Sequence, residues 1–243
     1  MDPRLNLVAK TPTELLAQLA AIDIAVPLRT EGRKSHHRER YLVARLLSTL
    51  AETDELTFPI KISHQDKPDF ALTLAGTTIG LECTEAVSEE WAQIDAIRER
   101  DHPESIIMLP MLKPGTKKFT KEERIDIAKG QKAGSLWVGN MAERRWAEAL
   151  AYFISEKTKK LRAGNYSAFP ETWLVVQDEW RVPVHRLEER QEAALMCADM
   201  IQPMFKTPSF SRIYISNSSW LVRLAPEPVE VRAIRDLWSV SRC

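Results

Sequence analysis

The stretch DKPDFALTLAGTTIGLECTEA, residues 66–86, decides how this chain folds. It reads as two β-strands within 70–87, turning at Ala75-Gly76. Successive side chains on a strand point to opposite faces. Phe70, Leu72 and Leu74 therefore share one face of the first strand, and Ile79, Leu81 and Cys83 share one face of the second. Asp69, Ala71 and Thr73 point the other way on the first strand, and Glu82 and Thr84 do so on the second. A two-residue loop pairs 74 with 77 and hence Asp69 with Glu82, and a four-residue loop over 74–77 keeps that register. An odd-length loop would send the acids to opposite faces.

Directly opposed residues have Cα atoms about 4.5–5.5 Å apart, so two carboxylates there repel unless something compensates them. A bound cation is the simplest compensation. Oxygen-only donors suit Mg²⁺, with Mn²⁺ as an alternative. The plain alternative is the solvated face of a hairpin.

Around this hairpin the pattern alternates between helix and strand. Residues 11–21 read as a short helix with a threonine cap and Glu14 near its start. Ser35 is the expected cap of a helix over 36–51, whose apolar stripe is Leu42, Val43, Leu46, Leu47 and Leu50. Residues 56–63 read as a strand that Pro59 assigns to an edge or a bulge. Residues 88–139 have poor periodicity and read as an insertion of some helix and mobile loop. Then come a helix over 141–163, a central strand over 172–177, a helix over 186–203, strands over 211–216 and 219–224, and a terminal helix over 228–239. This order predicts one α/β domain over 1–243, a mixed central sheet flanked by helices, with its core at about 35–225.

Composition narrows the function classes. The 243 residues hold 34 Lys and Arg against 34 Asp and Glu, so the formal net charge is zero. With 44% hydrophobic residues this excludes wholesale disorder and a globally basic nucleic-acid binder, but not a local basic patch. No apolar run is long enough to span a bilayer, and the first ten residues lack the apolar core of a signal peptide. Three scattered cysteines, Cys83, Cys197 and Cys243, make neither a disulfide framework nor a paired metal motif. The expectation is a cytoplasmic protein without membrane contact.

Pro68-Asp69, a hairpin, then Glu82-x-Thr84 resembles the motif of the PD-(D/E)xK nuclease superfamily, the restriction-endonuclease-like fold. The resemblance covers roughly residues 35–180, and the family core of helix, three-strand meander, helix and strand matches the order read above. It implies a metal-dependent nuclease hydrolysing phosphodiester bonds in DNA. Asp69 and Glu82 would be metal ligands and the backbone carbonyl of Cys83 a further one. Thr84 stands where the family has lysine, and threonine carries no charge. Either the chain is an inactive nuclease-like scaffold that binds nucleic acid or a protein partner, or another residue supplies the cation.

Lys157 is the candidate. With Leu150, Ile154 and Leu161 it forms one helical stripe, so it sits among core-facing residues and must snorkel out or meet an anion. Some members of the superfamily take their lysine from a neighbouring helix. Lys160 is the reserve. Glu39 shares the face of Val43, Leu46 and Leu50 and would suit the helix dipole in the first turn. The resemblance makes it a third metal ligand or water-holder.

Two basic clusters, Arg29, Arg33, Lys34, Arg38, Arg40 and Arg45, and Lys113, Lys117, Lys118 and Lys121, would track phosphates or form a solvated mixed-charge surface. Trp146 and Trp173 read as core. Cys83 points inward, against a thiol nucleophile, and the adjacent His36-His37 are a poor metal pair. Zero net charge argues against tight non-specific binding, so a nuclease here would need a homodimer or partner protein to hold its substrate.

Overall fold

The computed structural model describes residues 4–28, 31–107, 112–115, 119–131, 137–164, 169–184, 186–205, 209–225 and 228–238. Their order is β1 (Asn6–Ala9), α1 (Pro12–Ala20), α2 (Ser35–Leu50), β2 (Ile60–His64), β3 (Phe70–Leu74), β4 (Thr77–Ala86), α3 (Glu89–Asp101), α4 (Lys121–Ala128), α5 (Met141–Arg162), β5 (Thr172–Asp178), α6 (Leu187–Ile201), β6 (Arg212–Ser216), β7 (Trp220–Ala225) and β8 (Glu230–Ala233).

The strands form one eight-stranded sheet in chain order. β1 to β4 run antiparallel, β4, β5 and β6 are parallel, and β6 to β8 are antiparallel again. This is the expected α/β fold, a mixed sheet flanked by helices. Each parallel step needs a crossover; one contains α5 and the next α6, and the two helices pack on each other. Leu150 and Ile154 of α5 and Ala194 and Cys197 of α6 share a core with Leu174, Val176 and Ile215. On the opposite face α1 and α2 share a core with Phe70, Leu72, Ile79, Leu81, Cys83, Trp173 and Val175. Trp146 and Trp173 are core residues, as expected.

The hairpin has the two-residue loop. Leu74 pairs with Thr77 and Phe70 with Leu81. Ala75 and Gly76 both have positive φ, 46° and 94°, as a type I′ turn requires.

Several expectations need correction. The N-cap of α2 is Lys34 and not Ser35, because the Lys34 amide donates to His37 Nδ1 at 3.1 Å and the helix starts one residue earlier. Glu39 is thereby the fifth helical residue, beyond the first turn. Pro59 does not mark an edge: it precedes β2, which β1 flanks. β1 went unread, although Leu5, Leu7 and Ala9 alternate with exposed neighbours. The expected helix over 228–239 is instead β8 and a strap over 234–238, residue 239 lying outside the described residues. Val229 and Val231 suit a strand's two-residue period, and Arg223 and Arg232 both pair with Glu230. The strap lies on α2: Ser48 Oγ donates to Arg235 O at 2.7 Å, and Arg235 N donates to Thr49 Oγ1 at 3.1 Å. Within the insertion, α3 and α4 join through Trp91, Ile94 and Ile127, and Arg124 grips Glu90 at 3.0 and 3.1 Å.

Candidate active site

β3 begins at Phe70, so β4 runs on beyond its partner at Glu82 and Cys83. Asp69 folds over this open edge, and its Oδ2 accepts from the Cys83 amide at 2.7 Å. Continuing the ladder by one residue sets Asp69 opposite Glu82. Gly80 makes room for the approach: a Cβ there would lie 2.7 Å from Pro68 Cγ. The buried Pro68 ring thus packs on bare backbone and fixes where Asp69 leaves the chain.

Glu82 points to the α5 side, in register with Leu174, and is only 5% exposed. Lys157 reaches it from α5, and its Nζ donates to Glu82 Oε1. The helical stripe that holds Leu150 and Ile154 in the core thus brings an ammonium onto the sheet carboxylate. Thr84 is half-buried on the same face as Glu82, without charge. Lys160 is exposed and does not join, because it lies on another side of α5.

Glu39 comes from α2. Its Oε2 is 3.2 Å from His64 Nε2 on β2. Its charge reaches Asp69: burial above all, then Glu82 and Glu39, push the Asp69 carboxyl up to about 7, against the Cys83 amide and Lys157. Asp69, Glu82, Glu39 and Lys157 thus form one electrostatic cluster of three carboxyl groups and one ammonium. Glu39 and Ser35 line both a pocket of about 460 Å³, shared with His64, Asp66 and Asp69, and one of about 270 Å³, shared with Cys83, Thr84 and Glu85.

Sequence reasoning missed His64. Its signal was there: His64 follows Ile60 and Ile62 on the buried face of β2, where an imidazole needs a partner. The basic cluster on α2 needs correction too. Arg38, Arg40 and Arg45 are buried, forming neither a phosphate track nor a solvated surface. Arg38 pairs with Glu85 and with Glu179 at 3.1 Å, and Arg45 with Asp236 at 3.2 Å, because the strap and the strand ends close over α2. Arg33 is half-buried, and Lys34, Lys113 and Lys121 are exposed. Arg29, Lys117, Lys118 and Cys243 lie outside the described residues. Cys83 lies in the core, and burial pushes its thiol well up, which removes it as a nucleophile. The His36 and His37 rings touch at a tilt of 52°, centroids 4.3 Å apart.

A further pocket, about 590 Å³, lies elsewhere, beyond the end of β5. There Asp178 accepts from Trp146 Nε1 at 2.8 Å and Arg190 Nη1 at 2.9 Å, a clamp that joins β5 to α5 and α6.

Among the described residues no group of three or more His, Cys, Asp or Glu side chains is arranged to hold a metal ion, and no helix is long and apolar enough to cross a membrane. A divalent ion at the hairpin would rest on two carboxylates, backbone and waters, which is how Mg²⁺ is commonly bound. The donor set fits in kind: the atoms are oxygens, and Glu82 and Glu39 both act on the buried Asp69 carboxyl. Comparison with known proteins adds no constraint, since no family model, no curated protein and no solved structure matches the chain.

Proposed function

We propose that the chain is a Mg²⁺-dependent nuclease hydrolysing phosphodiester bonds in DNA, with α2, β2 to β4, α5 and β5 as a restriction-endonuclease-like core. The observation that carries this reading is Lys157 meeting Glu82 beside Asp69. It supplies from α5 the cation that Thr84 lacks. Asp69 and Glu82 would hold the metal, with the Cys83 carbonyl as a further ligand, Glu39 acting through a water, and Mn²⁺ as a substitute ion. When bound, the ion lowers the pKa of a water and offsets charge on the phosphate. Lys157 pairs with Glu82 and presents an ammonium where phosphate charge develops. Glu39, at the junction of the two pockets, holds or orients the attacking water.

The rival reading, an inactive scaffold that binds nucleic acid or a protein partner, rests on Thr84. Cleavage of supercoiled and oligonucleotide DNA with Mg²⁺ or Mn²⁺ separates the two. Wild type should cut, and Asp69→Ala and Glu82→Ala should lose activity by at least about 10²-fold. No cutting by wild type, or equal cutting by all three, would sink the nuclease reading.

A further inference from the structure

We infer that His64 is a positioning residue: it fixes the Glu39 carboxylate beside Asp69 and so sets how tightly the centre holds its divalent cation. This rests on the nuclease reading above and deepens it.

The imidazole is nine-tenths buried. Among the described residues its buried Nδ1 has no hydrogen-bond partner, so the ring's polar commitment is the 3.2 Å contact from Nε2 to Glu39 Oε2. The ring is itself held. His64 pairs with Phe70 across β2 and β3, and the two rings touch with centroids 4.5 Å apart. Sheet and core therefore set the direction of the one donor that meets Glu39.

Glu39 needs such a donor. Its carboxylate lines one pocket with Asp69 and acts on the Asp69 carboxyl, and like charges at short range push apart. An untethered glutamate on a helix relieves that repulsion by changing rotamer. The contact with His64 opposes this and keeps Glu39 on the pocket it shares with Asp69 and Asp66. Outer-shell groups that orient a metal's ligands and waters typically change metal affinity about 10–100-fold when removed. A tie that only joined β2 to α2 would change stability and leave ion binding alone.

The test measures Mn²⁺ binding to the full chain by electron paramagnetic resonance, with no substrate present, alongside thermal melting. Wild type should bind Mn²⁺, and Asp69→Ala should abolish binding. His64→Leu, which fills the space without a donor, should weaken binding about 10–100-fold. His64→Gln, whose amide can donate to Glu39, should recover most of it. In a Glu39→Gln background His64→Leu should have no further effect. Should His64→Leu fail to fold, His64→Asn and the Glu39→Gln comparison carry the same contrast: Asn, too short to reach, should weaken binding only while Glu39 is present. Wild-type affinity in the donor-less variants, or the same loss without Glu39, overturns the inference and leaves the metal centre standing. No Mn²⁺ bound by wild type, or binding untouched by Asp69→Ala, overturns the centre and the inference together.

Discussion

Asp69 is a carboxylic acid held near neutrality by its surroundings, and that has a thermodynamic cost. Burial first, then Glu82 and Glu39, raise its folded-state value to about 7, whereas an unfolded aspartate titrates near about 3.9. The folded state therefore binds the proton more tightly. Stability falls as pH rises from about 4 to about 7 and is level above that. Asp69→Asn removes the charge and keeps an oxygen for the Cys83 amide. Its melting temperature should exceed that of wild type by about 2–4 °C at pH 8, corresponding to about 1 kcal/mol for a chain of this length. The gap should close by pH 4. Lys157 carries the complementary prediction. Lys157→Met keeps the stem against α5's stripe and removes the donor, so DNA cleavage should fall about 10²–10³-fold in kcat, measured on a variant whose far-ultraviolet dichroism matches wild type. The sequence revealed Lys157 because a charge on an apolar stripe needs an anion. The same logic applied to β2 would have revealed His64, but a single histidine at a strand end gives a weaker signal than a lysine more than four turns into a long amphipathic helix.

At the scale of elements, the hairpin was legible because its loop chemistry and its alternation agree. Ala75-Gly76 permits the two-residue turn, and only the register it sets buries Phe70 and Leu72 together with Ile79 and Leu81. Gly80 could not be interpreted from sequence, since its role depends on Pro68 and Phe169 lying over it. Gly80→Ala should push the rigid Pro68 ring and shift Asp69. Overpacking of this kind costs about 1–3 kcal/mol, and a displacement approaching 1 Å costs about 10²-fold in rate. Urea melts together with cleavage kinetics on one preparation would check both. β8 was misread as helix because Arg232, Arg235 and Asp236 suit a polar helix face in isolation. What decides the element lies far away in sequence, in the pairing of β8 with β7 and of Arg232 with Glu55. Long-range partners of this sort leave no local periodicity.

The molecule as a whole spends much of its charge internally. Glu55, following α2, is buried; it accepts from Tyr214 OH and from Arg212 at 3.0 Å, and forms ion pairs with Arg232 at 2.9 Å and Arg223 at 4.0 Å. It ties three strands to the end of α2 with one carboxylate. Glu55→Gln leaves Arg212 without its counter-charge and Arg223 and Arg232 with Glu230 alone, and should cost about 3 kcal/mol in urea denaturation, the low end for a buried pair because Arg212 and Arg232 keep some solvent. Together with Arg38 and Arg45 this explains why a chain of zero net charge gave a misleading basic cluster: composition counts charges, and only the fold says which of them face outward.

The chain-ordered sheet has a consequence for the protein as it is made. A nascent chain is released from its N-terminus, so β1 to β4 can pair one after another as they emerge, each beside the strand just formed. Glu39, His64, Asp69 and Glu82 all belong to this first half. Lys157 comes only within the long connection to β5. The acids can therefore meet on the growing chain before their ammonium has been translated, and solvent ions or bound protons would then hold that charge in the interval. Docking of α5 then brings more than the burial of Leu150 and Ile154: it delivers the counter-charge, so the last helix to cover the acids is drawn to them by the charge they already share.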